Sequence, residues 1–301
     1  MLAGGEAQAA VTVPPLGTAT SFAVLAGAGI TNTGPTTISG DIGTFPTTTE
    51  TGTASITLNG ANHAGDGTTQ SAKTNLTTAY TTAAGEGPTL PITADLAGQV
   101  LTAGVYNSGS SIGLSGALTL NGAGDPNAVF VFQAGSTLTT GSGSSVVLTN
   151  GAQACNVYWQ VGSSATLGTN SSFTGSILAL TSVTVTTGAV ISGRVLARDG
   201  AVTLDTNTIT RPVCATPVST TTAAATSSAT SSPTVSATST ATRSATSPAT
   251  GTSAQVTPVP VGGVHTGDGS TQHGGSALPA VAGGLIAGAA LLTVLRRRRT
   301  R

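Results

Sequence analysis

The chain has 301 residues, 41 of them glycine, with ten acidic and ten basic groups, only 7% charged and 3% aromatic residues. An ordinary soluble domain carries about 25% charge, so this surface is not made for salt bridges. Half the basic residues are Arg296, Arg297, Arg298, Arg299 and Arg301, and Lys73 is the sole lysine. With no basic patch before that tail, nucleic acid is excluded as a partner.

In chain order, residues 1–13 read as the remnant of a signal peptide or a flexible N-terminus, with a small-x-small triplet at Ala7, Gln8 and Ala9. A folded β domain is expected over 14–214. Its first short strands and turns are FAVLAG and AGITNTGPTTISGDIGT, the latter similar to the later TVTTGAVISGRVLA. One helix is expected over 66–84, capped by Asp66 or Thr68 and ended by Gly85. It carries a stripe of Ala72, Leu76, Tyr80 and Ala83. Its many threonines are poor helix formers, so it needs a partner wall. The apolar run Ala128, Val129, Phe130, Val131 and Phe132 is expected to be buried on both sides, with Tyr158 and Trp159 one coil later.

The pattern that organises the domain lies between 163 and 209. Apolar–Thr–apolar triplets are centred on Thr166, Thr184 and Thr203, recurring after 18 and then 19 residues. That period is too long for a hairpin and suits one turn of a three-sided β-solenoid. Period 2 within each triplet sends the apolar residues inward and the threonine outward. Further triplets are centred on Thr57 and Thr119, and Leu138 stands between Thr137 and Thr139. Cys155 and Cys214 flank the last coils; a disulfide between them is the reading for an exported chain, with two free thiols as the open alternative.

Beyond the domain, residues 215–277 are a Thr/Ser/Ala/Pro/Gly-rich stalk that cannot bury enough surface to fold. His265 and His273 there have no metal-ligand companion. Residues 278–295 form an eighteen-residue apolar segment before the basic tail 296–301. As a helix it is ~27 Å long, enough to span a bilayer. The layout resembles the sorting tails of Gram-positive surface proteins, but Val281 stands where their box has the cleaved threonine. A retained membrane anchor, and a protein exported to the cell surface, is the expectation.

Stacked strands lie ~4.8 Å apart and alternate residues ~6.6–7 Å apart along a strand. Those repeats approach oxygen–oxygen repeats on faces of hexagonal ice, and threonine is stiff at χ1. A rigid grid of methyls and hydroxyls can therefore hold ordered water. Residues 16–212 also resemble the microbial ice-binding protein family, through LGTATSFAVLAGAGITNTGPTTISGDIGT, LTTAYTTAAG, LTAGVYN, GDPNAVFVFQ, NGAQACNVYWQVGSSATLGTNSSFTGSILALTSVTV and GRVLARDGAVTLDTNTITRP. The resemblance implies a right-handed, discontinuous β-solenoid with a helix alongside, its first coil beside its last, and one flat wall that adsorbs to ice as a monomer. It needs no catalytic residue, cofactor or metal. The expected wall comprises Thr31, Thr137, Thr139, Thr166, Thr184, Thr186 and Thr203, with Ala28 and Ala201 as small spacers. A rival wall carries Thr37, Ser39, Ser172, Thr174 and Ser192, with Val190 interrupting it. Asp205 sits at the edge of the preferred wall as a turn residue bonding its own backbone. The alternatives are a surface adhesin for carbohydrate or protein, and a polysaccharide-cleaving enzyme using Arg194, Arg198, Asp199 and Asp205.

Overall fold

The computed structural model describes residues 11–215. The residues before 11, and the stalk, apolar segment and basic tail beyond 215, lie outside them.

The described chain winds as short parallel strands on three walls. One wall is a seven-stranded sheet in the order Ile112–Leu114, Leu138–Thr140, Ala165–Leu167, Val183–Val185, Ala201–Asp205, Gly29–Thr33 and Glu50–Thr51. It is called the threonine wall below. Its inward residues Leu138, Ala165, Val183, Val202 and Ile30 pair in register, each no more than 1% exposed. A second wall holds Val100–Thr102, Ala117–Asn121, Ser145–Thr149, Thr208–Thr210, Thr36–Ser39 and Ile56–Asn59, with the first halves of Ser172–Ala179 and Val190–Ala197 between them. Those two long strands turn onto the third wall at Gly175 and Gly193. Gly175 has φ +114°, and a Cβ on Gly193 would lie 1.9 Å from the Gly175 carbonyl oxygen, so both positions require glycine.

The third wall carries Thr89–Pro91, Gly104–Ser108, Phe130–Ala134, Val157–Val161, Phe22–Ala26 and Asp41–Thr44 with the ends of the long strands. Apart from the exposed edge strand Thr89–Pro91, its strands are largely buried on both faces, as expected for the run ending at Phe132. Inward, Tyr106, Phe132 and Trp159 stack with ring centroids 5.4 and 4.0 Å apart, and Phe173 tilts against Trp159 at 5.1 Å. Outward, Phe22, Leu25, Val131, Tyr158, Leu178 and Leu196 meet the helix α1 (Gly67–Gly85).

Coils do not stack in chain order. Gly29–Thr33 lies between Ala201–Asp205 and Glu50–Thr51, and Thr36–Ser39 between Thr208–Thr210 and Ile56–Asn59. Residues 22–59 thus cap the end that the chain reaches last. Helix α1 then carries the chain back along the third wall. Nineteen residues give ~28 Å, matching about six coil steps of ~4.8 Å.

The helix begins where expected: the Asp66 carboxylate accepts from the Thr69 N–H at 2.9 Å. Thr69, Ala72, Leu76, Ala79 and Ala83 are its buried residues. Tyr80 is half-buried, its hydroxyl accepting from Gln160 Nε2 at 2.8 Å. At the other end, Gln133 Nε2 donates to the Ala83 and Glu86 carbonyls at 2.8 and 2.9 Å, supplying partners that a helix terminus lacks. Lys73 reaches the solenoid, donating to the Ala197 carbonyl at 2.6 Å and to the Arg198 carbonyl. Cys155 and Cys214 form a disulfide with Cα atoms 5.4 Å apart, the first of the two readings left open by the sequence. It fastens the end of the domain beside the turn Ala154–Asn156.

Candidate functional site

Period 2 in each short strand of the threonine wall exposes one central residue, and parallel pairing lines these up. The resulting column reads Gly113, Thr139, Thr166, Thr184, Thr203, Thr31 and Thr51. Thr184 is half-buried and the other five threonines are exposed. Six stiff β-branched side chains thus repeat at the ~4.8 Å strand spacing over ~24 Å, each offering a methyl and a hydroxyl.

A parallel column one period earlier holds Ser111, Thr137, Ser164, Ser182, Ala201, Gly29 and Thr49, tied by backbone bonds between successive coils and by the pairing of Gly29 with Ala201. Here Thr137 donates to Ser111 Oγ at 2.8 Å. Neither column carries a charge.

Five of the expected residues, Thr31, Thr139, Thr166, Thr184 and Thr203, therefore share one column. Thr137 and Ala201 belong to its neighbour. Ala28 is an odd number of residues from Thr31 and precedes the strand, so it lies at a corner, where its N–H donates to the Gly200 carbonyl at 3.0 Å. Thr186 lies just past Val183–Val185 and donates to the Leu167 carbonyl at 2.7 Å, so its hydroxyl faces the corner. Thr51 was not singled out from sequence because Glu50–Thr51 has only two residues and no triplet to mark it. The triplets centred on Thr57 and Thr119 fall on the second wall instead.

Asp205 closes the wall at its rim. Its carboxylate accepts from the Thr187 hydroxyl, and from the Thr206 hydroxyl at 3.0 Å, rather than from its own backbone. The second wall is also regular, with Ala117, Ser145, Ser172, Val190, Thr208, Thr37 and Thr57 in register. It is less uniform in chemistry. Val100, Val147 and Val190 are exposed on it, while Thr174 is buried and donates to the Val146 carbonyl at 3.1 Å.

Of the charged residues near the last coils, Arg194 and Arg198 are engaged separately. Arg194 is 3% exposed, and its guanidinium donates to the Thr20 carbonyl at 2.9 Å and to Ser176 Oγ at 3.2 Å. Burial, reinforced by nearby Arg211 and opposed by Tyr158, brings its pKa down to about 10. Arg198 lies over the Tyr80 ring, 4.8 Å from the centroid. With Asp205 at the rim of another wall, the grouping considered for sugar cleavage does not assemble around one point. Among the described residues no three His, Cys, Asp or Glu side chains gather as a metal site.

The family model for ice-binding-like proteins matches residues 24–210. An ice-binding protein of Nostoc sp. (strain HG1) is 49% identical over 214 residues, covering 70% of this chain and 79% of that protein. One from Colwellia sp. is 34% identical, covering 70% and 89%. The crystal structure of an ice-binding protein from an Antarctic biological consortium superposes with a TM-score of 0.67 at 47% identity, over 68% of this chain and 95% of that one. That of an ice-binding protein from the Antarctic ascomycete Antarctomyces psychrotrophicus gives 0.64 at 45% identity, over 66% and 98%. A mainly parallel β fold with one long helix, shared with these proteins across nearly all its described length, makes this chain a member of the ice-binding-like family.

Proposed function

We propose that the protein adsorbs to ice through the threonine wall, with Thr139, Thr166, Thr184, Thr203, Thr31 and Thr51 as the central contacts. The supporting observation is the single in-register column of these six threonines, flanked by small uncharged residues. Water held over such a grid takes the spacing of the side chains beneath it, and a growing lattice can merge with it. A wall of Lys and Glu would hold water in competing geometries. Thr137 and Ala201 extend the contact sideways; Ala28 and Thr186 border it. One wall per molecule suffices, so the active species is a monomer. A bulky residue in a flat contact is the direct test: Thr203→Tyr should abolish ice shaping with the circular dichroism unchanged, while Thr37→Tyr on the second wall should not. The opposite pattern would move the contact to the second wall.

We further propose that the apolar segment 278–295 and its basic tail hold the exported protein at the cell surface, with the segment 215–277 as a spacer. The domain would then tether its cell to ice. Deleting 278–301 should release the protein from the membrane fraction; membrane-free secretion of the full chain would count against the anchor.

A further inference from the structure

The threonine column crosses the break in chain order. Thr139, Thr166, Thr184 and Thr203 lie on coils wound one after another, where a repeat of 18 to 19 residues keeps the register from Thr166 onward. Thr31 and Thr51 come from the first segment of the chain, and covalent continuity does nothing to align them. A slip of one residue at this joint would turn Thr31 inward and Ile30 outward.

We infer that a buried polar spine, centred on Thr36, sets this register and so completes the wall. It runs along the corner between the threonine wall and the second wall. Asn207 Nδ2 donates to the Thr186 carbonyl at 2.8 Å, and the Asn207 N–H donates to Thr36 Oγ1 at 3.1 Å. The Thr36 hydroxyl donates to Asn32 Oδ1 at 2.6 Å. Asn32 Nδ2 then donates to the Gly52 carbonyl at 3.2 Å and to Ser55 Oγ at 2.9 Å. Four successive coils are stitched together, and Asn32 and Gly52 are the chain neighbours of Thr31 and Thr51.

The three spine residues are almost wholly enclosed: Asn32 is 5%, Thr36 1% and Asn207 2% exposed. Buried polar groups that must meet named partners penalise every other alignment, including two-residue slips that would keep the apolar face inward. Position by position, the corner shows where this device is used. Ser172, Val190, Thr208 and Thr37 pair in register, so the residues before them, Ser171, Ala189, Asn207 and Thr36, share one corner. In the consecutively wound coils that corner holds a serine whose hydroxyl has no partner and then an alanine. At the joint it holds Asn207 and Thr36, bonded to each other.

Asn32, Thr36 and Asn207 are positioning residues; their effect on ice rests on the threonine-wall reading, while their effect on register does not. The test compares full-length Thr36→Val, which keeps shape and loses the hydroxyl, with Thr36→Ser, which keeps the hydroxyl. In Thr36→Val, the amides of Thr37 and Thr206, which bond across the joint to Asn207 and Thr33, should exchange roughly 10- to 100-fold faster. Amides of 183–185 should be unchanged, and Thr36→Ser should match the parent. Freezing-point hysteresis of Thr36→Val should fall to that of Thr31→Ala/Thr51→Ala, with no further loss when all three are combined.

Parent-like exchange in Thr36→Val would overturn the spine. Faster exchange with full hysteresis, when Thr31→Ala/Thr51→Ala is itself impaired, would overturn its functional role. If Thr31→Ala/Thr51→Ala is fully active, the wall assignment fails and exchange alone judges the spine. Should Thr36→Val not fold, Ser55→Ala removes only the exposed end of the spine, the hydroxyl that accepts from Asn32 Nδ2; faster exchange confined to residues 50–59 is expected, and none would refute the inference.

Discussion

Replacing Thr184 by tyrosine puts a rigid ring at the fourth of the seven positions in the column. The wall behind it cannot bend to compensate, because Val183 and Val185 are at most 1% exposed and stacked in register with their neighbours. The whole surface is therefore held off the crystal rather than one rung. With ~0.8 kcal/mol for each methyl-sized group removed from water, six threonines are worth about 5 kcal/mol of contact. Losing it shortens residence on ice by a factor of a few thousand. Stability should hardly change, since the substituted residue stands on the surface. Concentration-matched hysteresis and ice-crystal morphology provide the assay, with circular dichroism and thermal unfolding as controls. Thr51→Tyr, at the end of the column, should cost less, because the wall can tilt about it. Full activity of Thr184→Tyr with an intact fold would refute both the wall and the rigid-contact reasoning.

Other consequences follow from the packing. Burial pulls the Lys73 ammonium from its ordinary 10.5 to about 8, with Asp199 opposing and Arg198 adding to the shift. From about pH 8 upward the unfolded chain holds a proton that the folded one has released, so stability should rise between pH 8 and 9.5. Melting curves of Lys73→Met should lack this rise; a parent-like slope would show that another group causes it. Reducing the Cys155–Cys214 bridge, which spans 59 residues, should cost up to about 4 kcal/mol of domain stability. Ice shaping near 0 °C should survive, because the bridge lies off the threonine wall; its loss on reduction would contradict that. Leu76→Ala, emptying a fully buried helix position, should destabilise by about 2–5 kcal/mol in denaturant titrations. A change near zero would mean that the helix does not depend on the solenoid for support.

The triplets centred on Thr166, Thr184 and Thr203 made the solenoid and its outward threonines legible, because an 18- to 19-residue repeat leaves one register. The helix was equally plain from Asp66 and the Ala72–Leu76–Ala83 spacing. What a triplet does not encode is which wall it belongs to: those centred on Thr57 and Thr119 alternate identically yet lie on the second wall. Corner lengths decide that, and they vary from coil to coil. Ala28 shows a related limit, since composition marked it as a spacer while its parity with Thr31 places it at a corner. Thr51 has too short a strand to leave any periodic signal. The polar spine was invisible because Asn32, Thr36 and Asn207 are far apart in sequence and read alone as turn residues.

The most direct measurement follows fluorescently labelled protein on a slowly growing ice hemisphere. Adsorption through a rigid threonine wall predicts that the protein is overgrown and retained in the solid, and that the Thr184→Tyr variant is swept ahead of the front. A parent protein that stays in the liquid while the crystal advances would contradict ice adsorption itself; a Thr184→Tyr protein retained like the parent would contradict this wall.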